Sequence, residues 1–435
     1  MENIKFNYKQ SAGISSGELN GAMESLAGYR EKLRAVANTT DYDAPESSIN
    51  LPFDEGMHNE IEATALKFRT PVLKYIIHIG IGGSVLGTQA IYEALLGSYD
   101  ALVPNRLPKI IFVDTNCSGM IKIIRDLFRV LQNPEEVVIH VVSKSGTTTE
   151  TIANFEIIYA FLKERFGEVK NRVVVTTYRG SKLWVAGEIQ GFTCLSIPQN
   201  VGGRYSILSS AGRLSLLLAG VDMHALREGA SLMREICLED STGENGENMA
   251  LLSAAILYNH YQKGISIHNN FFFSPELESL GKWYRQLVGE SLGKNGRGIL
   301  PIVSIGSNDL HSMVQLYLGG PKNIFTTFVY AENANQGIEV PVTPTFPGLV
   351  PGIAGKDFSK ITNAIYGGVV AAYKKQALPF VEVVFPEISA KTLGAYVQFK
   401  MIETMYLAHL LGVNTFDQPN VEEYKAKTRK ILGTQ

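Results

Sequence analysis

Cysteine is scarce in this sequence. The three cysteines, Cys117, Cys194 and Cys237, are odd in number, far apart and never arranged as C-x-x-C. Such a set makes neither a disulfide framework nor a zinc site, and it is typical of a reducing compartment. Long apolar runs are also missing: the most hydrophobic stretch, Leu214–Val221, is far too short to span a bilayer, and the first residues lack a signal peptide's apolar run. We therefore expect a cytoplasmic protein without a membrane segment.

A strong charge imbalance is missing too. The formal net charge of −2 gives no electrostatic reason to expect nucleic acid as a partner. No Walker lysine motif occurs, and none of the eight histidines has metal-ligand spacing such as H-E-x-x-H. The sequence thus gives no specific sign of a nucleotide and predicts no metal and no cofactor. With 435 residues, of which 45% are hydrophobic and 19% charged, the chain is an ordinary globular protein of two or three domains.

What the sequence does contain is an alternation of short Ile/Val-rich runs with helical periodicity. The predicted strands are 75–79, 109–113, 136–142, 172–176, 192–197, 265–269, 300–305, 324–331 and 380–385. The predicted helices are 85–95, 119–131, 149–166, 211–219, 223–235, 276–290, 309–318, 358–375 and 390–411. Buried strands that alternate with helices indicate βαβ units, and the right-handed crossover rule makes each mainly parallel sheet doubly wound, with helices on both faces.

The alternation occurs in two successive halves. We predict an arm over residues 1–50 with one helix near Met23–Val36, a first α/β domain over 51–240 and a second over 241–435 with C-terminal helices. The Gly/Glu/Asn segment Ser241–Asn248 marks the boundary. The fold class is therefore α/β with two doubly wound domains.

A glycine turn follows the first predicted strand. In the segment Gly80-Ile81-Gly82-Gly83-Ser84, glycines let the backbone come close to a ligand, and the next helix offers free N–H groups to an anion. The third glycine position of the dinucleotide fingerprint holds Val85 instead. Gly83 and Ser84 are candidate anion-binding residues; the alternative is a tight strand-to-helix turn.

A hydroxyl-rich loop, residues 143–151, follows another strand and also opens a helix. It offers up to six hydroxyls and one ammonium at a helix N-terminus, which suits a phosphate group. The candidate ligands are Ser143, Lys144, Ser145, Thr147 and Thr148. The alternative is a simple helix cap, but a cap needs only one Ser or Thr.

Two further segments contain an arginine and a carboxylate. Gly202-Gly203-Arg204 places a guanidinium beside a closely approaching backbone, where it can stabilise a developing oxyanion; the alternative is a structural ion pair. Glu290 ends an aromatic-rich helix that also carries Gln286. Apolar neighbours would disfavour its charged form and make it a stronger base. The alternative is an exposed i,i+4 pair of Glu290 with Lys294.

A histidine and a lysine complete the candidate set. His311 is predicted in the first turn of a helix, where the dipole favours a neutral imidazole that can exchange a proton near neutral pH. The segment Thr415–Lys425 reads as a helix N-terminus, with Pro419 near its start and acids in the first turn. A satisfied loop histidine and a solvated Lys425 are the alternatives. His78, His140 and His268 lie in strand runs and are expected to be core or edge residues.

In order along the chain, these segments resemble the phosphoglucose isomerase family. The resemblance extends from about residue 50 to the end, and its two most specific segments are Asn200–Ser206 and Trp283–Lys294. The chain length and the Ser-Lys-Ser-Gly-Thr-Thr loop are similar to the bacterial branch. The resemblance implies two sugar-isomerase (SIS) domains, interconversion of glucose 6-phosphate and fructose 6-phosphate in glycolysis and gluconeogenesis, and a homodimer in which the histidine reaches the neighbour's active site.

The resemblance also implies roles for the candidate residues. Ser84 and the hydroxyl loop would hold the sugar phosphate, and Gln418 would contact the substrate. Glu290 would move the proton between C1 and C2, and Arg204 would stabilise the enediolate. His311 and Lys425 would open the sugar ring, with Glu150 orienting His311.

Two other functions stay open at this stage. One is an SIS-type isomerase for another sugar phosphate. The other is a sugar-phosphate-binding regulatory protein, which would keep the hydroxyl loop but would have no need for Glu290, His311, Arg204 and Lys425 together.

Overall fold

The structure is a computed structural model that describes residues 4–240 and 247–433. Six residues of the predicted boundary segment, 241–246, lie outside this part of the chain. Within it, ten strands are β1 Lys5–Asn7, β2 Tyr75–Ile79, β3 Lys109–Val113, β4 Val137–Val142, β5 Val173–Thr177, β6 Thr193–Ser196, β7 Ile267–Phe272, β8 Leu300–Ile305, β9 Ile324–Ala331 and β10 Phe380–Phe385. All nine predicted strands are confirmed to within three residues at either end.

Helices flank both sheets. In the described residues they are α1 Ser16–Ser25, α2 Ala27–Ala37, α3 Glu55–Phe68, α4 Leu86–Leu96, α5 Ser118–Val130, α6 Thr149–Phe166, α7 Lys182–Gln190, α8 Ser210–Leu218, α9 Met223–Leu238, α10 Met249–Gln262, α11 Glu278–Leu292, α12 Val314–Gly319, α13 Phe358–Lys375, α14 Ala390–Leu411 and α15 Pro419–Ile431. None of these helices combines the length and the apolar character needed to cross a membrane.

Each half of the chain builds one five-stranded sheet. The first has the order β3-β2-β4-β5-β6 and is parallel throughout. The second has the order β1-β10-β9-β7-β8, and it is parallel except at its edge, where β1 pairs with β10 in the antiparallel sense. The predicted α/β class with two mainly parallel sheets is therefore confirmed. In both sheets the order departs from the chain order at β2 and β7, where ligand sites of such sheets are found.

The two halves are joined by helix packing. Helix α9, at the end of the predicted first domain, packs along α14 of the second. Gly229 on α9 and Gly394 on α14 allow this approach, since a Cβ atom on either would overlap a backbone carbonyl of the opposite helix. Helix α14 is buried along most of its length. The division into domains at residue 240 stays a prediction, because these contacts make one continuous core.

Two helix predictions are corrected by the structure. The single helix expected near Met23–Val36 is two helices, because Ser15 and Glu18 form a capping box that starts α1 early and the chain turns at the buried Leu26. The helix expected at residues 309–318 is a 3₁₀ turn at Asn308–Leu310 followed by α12, which begins at Val314. His311 therefore ends a turn and does not lie in the first turn of an α-helix.

The strand histidines are confirmed as core residues. His78, His140 and His268 have side chains that are almost wholly inaccessible to solvent. Burial lowers the pKa of His78 to about 4. Burial, together with the neighbouring His78, also lowers the pKa of His140 well below its ordinary value. Both imidazoles are therefore neutral at neutral pH.

Acid sensitivity follows from these lowered pKa values. The unfolded chain takes up protons on His78 below pH ~6.5, whereas the folded chain resists protonation until about pH 4. The free energy of unfolding should therefore fall as the pH drops through this window, by about 3 kcal/mol for His78 alone. Urea unfolding at a series of pH values measures this slope.

The control compares a buried with an exposed histidine. His78→Asn should flatten the slope between pH 6.5 and 5, whereas the same change at the exposed His224 should leave it intact. A wild-type protein equally stable at pH 7 and at pH 4.5 would contradict the prediction.

Candidate active site

A buried arginine organises the site. Arg204 lies in a 3₁₀ turn, Gly203–Tyr205, and only 2% of it is exposed. Its Nη1 donates to Glu290 Oε2 and to Gln418 Oε1, each at 3.0 Å. The arginine and carboxylate that the sequence singled out, 86 residues apart, are thus in direct contact.

The remaining guanidinium donors are also satisfied. Arg204 Nε donates to Ser291 Oγ at 2.8 Å, and Nη2 donates to the carbonyl oxygens of Thr415 and Asp417 at 2.6 and 3.3 Å. A guanidinium held by this many partners keeps one orientation, as a preorganised oxyanion-stabilising group requires. Sequence reasoning did not assign Ser291, Thr415 or Asp417. Little in the sequence indicated these three residues. Each lies within a segment that the sequence singled out, but two of them contact Arg204 through a backbone carbonyl.

Glu290 lies in a different environment from the one expected. It sits in the last turn of α11 and faces polar groups, because Gln286 Nε2, one turn earlier, donates to its Oε1 at 3.0 Å and Arg204 contacts its Oε2. The expectation of apolar neighbours is therefore wrong. The alternative pair with Lys294 is not formed either, since the Lys294 ammonium is 3.0 Å from Asp417. About a third of the Glu290 side chain stays accessible.

The glycine turn lies against these residues. Gly82 has a φ of +55°, and a Cβ atom there would come within 2.9 Å of Gln286 Nε2. A Cβ atom on Gly83 would overlap the backbone of Gly203, next to Arg204. The glycines therefore let two loops meet closely, and Ser84 follows at the start of α4.

The hydroxyl loop opens α6 without capping it. Thr148 is the N-cap residue, yet its hydroxyl bonds to Ser143 Oγ at 2.9 Å and makes no cap hydrogen bond. Ser145 Oγ accepts from the Thr147 N–H at 3.3 Å. The first-turn N–H groups of α6 are thus left without a side-chain cap, as an anion site requires. Burial, and to a lesser degree the charge of Arg204, lowers the pKa of Lys144.

Helix α15 lies next to the hydroxyl loop, and residues of both line one cleft. Its predicted N-terminus at Pro419 is confirmed. Lys425 lines a small cleft of about 110 Å³ together with Ser145, Thr147 and Glu150. Its ammonium lies 3.0 Å from Glu422. The fold thus brings Lys425 to the hydroxyl loop and its Glu150, although no sequence pattern links the lysine to this loop.

His311 lies elsewhere in this chain. It is exposed and lines a separate open cleft of about 680 Å³ with Lys282, Arg285 and Asp309. Among the described residues, no hydrogen bond joins it to Glu150 or to Glu290. Arg285 and Gln286 are consecutive on α11, so the His311 cleft and the Glu290 site use neighbouring faces of one helix. Within the described residues, no group of three or more His, Cys, Asp or Glu side chains could hold a metal ion.

Comparison with solved structures gives the class. The fold matches a hypothetical protein of Thermus thermophilus with a TM-score of 0.83 and 28% identity, covering 99% of both chains. It also matches the glucose-6-phosphate isomerase of Chlamydia trachomatis with a TM-score of 0.79 and 19% identity, covering 100% of this chain and 89% of the other. The protein therefore has the two-sheet fold seen in that sugar-phosphate isomerase.

Comparison of sequences gives the family. The phosphoglucose isomerase family model matches residues 57–434. Glucose-6-phosphate isomerases of Shouchella clausii and Acetivibrio thermocellus are each 32% identical over 100% of this chain, and the matches cover 96% and 97% of those relatives. The chain belongs to the phosphoglucose isomerase family.

Proposed function

We propose that this protein interconverts glucose 6-phosphate and fructose 6-phosphate, the activity for which its relatives are named. The observation that carries the proposal is the contact of a buried, fixed guanidinium with a partly accessible carboxylate beside the glycine turn. A regulatory binding protein would need the hydroxyl loop alone. The pair supplies the base and the cation that an enediolate intermediate requires.

The base acts on one face of the C1–C2 bond. Glu290 takes the proton from one carbon and returns it to the other, so a single carboxylate serves both directions. Negative charge then develops on the two oxygens of the enediolate. Arg204, which contacts the Glu290 carboxylate, stabilises this negative charge. A preorganised donor of this kind contributes roughly 3–4 kcal/mol to the barrier reduction.

The phosphate subsite is the hydroxyl loop with Ser84. Ser143, Ser145, Thr147 and Thr148 offer hydroxyls, the start of α6 offers N–H groups, and Lys144 adds positive charge. The phosphate takes no part in the chemistry, but its binding holds the sugar in register with Glu290. Gln418, which accepts a hydrogen bond from Arg204, contacts the substrate next to this arginine.

Inorganic phosphate should compete with fructose 6-phosphate if this subsite is assigned correctly. The reason is that the subsite recognises a phosphate dianion independently of the sugar. The measurement is the initial rate against substrate at several phosphate concentrations, with chloride at matched ionic strength as the control because salt alone screens charges. Equal inhibition by phosphate and chloride would contradict the assignment.

Ring opening requires groups at the ring oxygen and at O1. Lys425 lines a cleft with residues of the hydroxyl loop, whereas His311 is exposed and lines a separate cleft. We infer a homodimer in which His311 of the partner subunit enters the site and meets Glu150. The proposed compartment is the cytoplasm, which suits the three free cysteines.

Mixing two inactive variants tests the shared site. Glu290→Gln and His311→Ala dimers should each lose most of the activity. Subunits exchanged between them should recover up to about a quarter of it, since half of the dimers are mixed and each mixed dimer has one complete site. The measurement is the rate after unfolding and refolding together, compared with each variant refolded alone. No recovery would place His311 and Glu290 of one site in the same chain.

The first assay of the function itself is direct. The protein is incubated with fructose 6-phosphate and a chelator, and glucose 6-phosphate is followed with a coupled dehydrogenase. Rapid product formation is the expected result. No product, with metal restored as well, would move the proposal to another sugar phosphate or to a regulatory protein.

A further inference from the structure

A network of buried, hydrogen-bonded polar groups crosses the first sheet beneath the glycine turn and the hydroxyl loop. His78 Nε2 lies 2.7 Å from the Ser84 carbonyl oxygen, and its Nδ1 lies 2.9 Å from Ser215 Oγ. The same hydroxyl lies 2.8 Å from His140 Nδ1, and His140 Nε2 lies 2.7 Å from Thr176 Oγ1. The side chains of His78, His140, Ser215 and Thr176 are all inaccessible to solvent.

The direction of every hydrogen bond in this network follows from the acceptor at one end, the Ser84 carbonyl oxygen. A carbonyl oxygen only accepts, so His78 carries its proton on Nε2, and its neutral ring has a lone pair on Nδ1. Ser215 must then donate its single hydroxyl proton to His78. His140 must donate from Nδ1 to the Ser215 oxygen, because two lone pairs would otherwise face each other. Thr176 therefore donates to His140 Nε2, and the two histidines are opposite tautomers.

Packing gives no reason for polar groups here. His78 and His140 are direct neighbours in the register of β2 and β4, and the other positions of these two strands are Ile, Val and Tyr. An aliphatic pair would fill the same space without the need to satisfy four buried ring nitrogens. All four nitrogens nevertheless have a partner, which indicates a network specified in detail.

Both ends of this hydrogen-bonded network lie at the proposed phosphate subsite. One end is the Ser84 carbonyl in the glycine turn. The other is Thr176, whose own carbonyl accepts the N–H of Ser143 at 3.1 Å, the first residue of the hydroxyl loop. We propose that His78, Ser215 and His140 are positioning residues that hold the glycine turn and the hydroxyl loop at the spacing a phosphate needs. This inference rests on the phosphate subsite proposed above.

The tautomers provide the first test. Long-range ¹H–¹⁵N spectra of the wild-type protein at pH 7 report which ring nitrogen of each histidine is protonated. We expect His78 as the Nε2–H tautomer and His140 as the Nδ1–H tautomer, with assignments from His78→Asn and His140→Asn. The same tautomer in both rings, or a charged ring, would overturn the inferred directions of the hydrogen bonds in this network. This readout does not depend on whether the protein isomerises any sugar.

The second test removes the central hydroxyl. Ser215→Ala should weaken binding of inorganic phosphate about three- to tenfold, as expected for the loss of ordinary hydrogen bonds. The KM for fructose 6-phosphate should rise by a similar factor and kcat should stay unchanged, because the phosphate subsite that Ser215 supports binds substrate and transition state alike. Calorimetry with phosphate makes the result readable even for a protein that shows no isomerase activity.

The matched control is on the same helix. Ser210 is also buried in α8, and its hydroxyl bonds to no group of the described residues. Ser210→Ala should therefore leave phosphate affinity unchanged. If Ser215→Ala lowers thermal stability but binds phosphate like the Ser210 variant, the network supports the core alone and the inference is wrong.

Discussion

Replacing Glu290 by Gln is expected to abolish turnover while the protein still binds phosphate and sugar phosphate. The amide cannot accept the proton from C1 or C2, and loss of a general base lowers kcat by about 10²–10⁴-fold. The measurement is kcat in the coupled assay, with calorimetry to show that affinity for inorganic phosphate is retained. A variant that kept more than about a tenth of the wild-type rate would remove Glu290 from the role of base.

The structure indicates that this variant folds. The oxygen of the substituted amide can still accept from Arg204, and its NH₂ group would face the Gln286 amide nitrogen. Gln286 can rotate its amide by half a turn and present its oxygen instead, since Gln286 Oε1 has no hydrogen-bond partner among the described residues. The matched control is Glu235→Gln, because Glu235 also pairs with an arginine, Arg234 at 2.9 Å, but on α9 and away from the site. Its kcat should equal that of the wild type.

Local sequence patterns predicted the sheets well and the helices less completely. A run such as Tyr75–Ile79 is buried on both faces, and its continuous apolar character marks it as a strand of a parallel sheet. Helix α10 was not predicted, because it is buried nearly all round and its apolar residues show no amphipathic period. Helices α3 and α7 were missed although Asp54 and Ser181 cap them. Strand β1 has only three residues and exists through its pairing with β10.

The candidate site was predictable in its parts and not in its assembly. Loops that follow parallel strands gather at one edge of a sheet, so the glycine turn and the hydroxyl loop could be expected to meet. The environment of Glu290 could not be read from its neighbours in sequence, because Arg204 comes from 86 residues away. The carbonyls that orient Arg204 come from residues more than 200 positions later. Such contacts are set by tertiary packing and leave no local pattern.

Replacing Arg204 by Lys should show that orientation matters as much as charge. A lysine keeps the positive charge, but its ammonium cannot reach Ser291, the Thr415 carbonyl and Glu290 at once, as the guanidinium does. The cation would no longer be fixed beside the enediolate, and removing one preorganised donor costs about 10²–10³ in kcat. The measurement is kcat and KM in the coupled assay, together with the thermal midpoint of unfolding.

A second buried arginine separates catalysis from stability. Arg172 also donates to two backbone carbonyls, those of Val137 and Glu135, at the opposite end of the first sheet from the site. Arg172→Lys should lower the thermal midpoint to a similar degree, because it too leaves buried carbonyls without donors, and its kcat should stay at the wild-type value. If both variants lost stability alone, Arg204 would be a structural ion pair. A loss of kcat confined to the Arg204 variant would assign the guanidinium to the transition state.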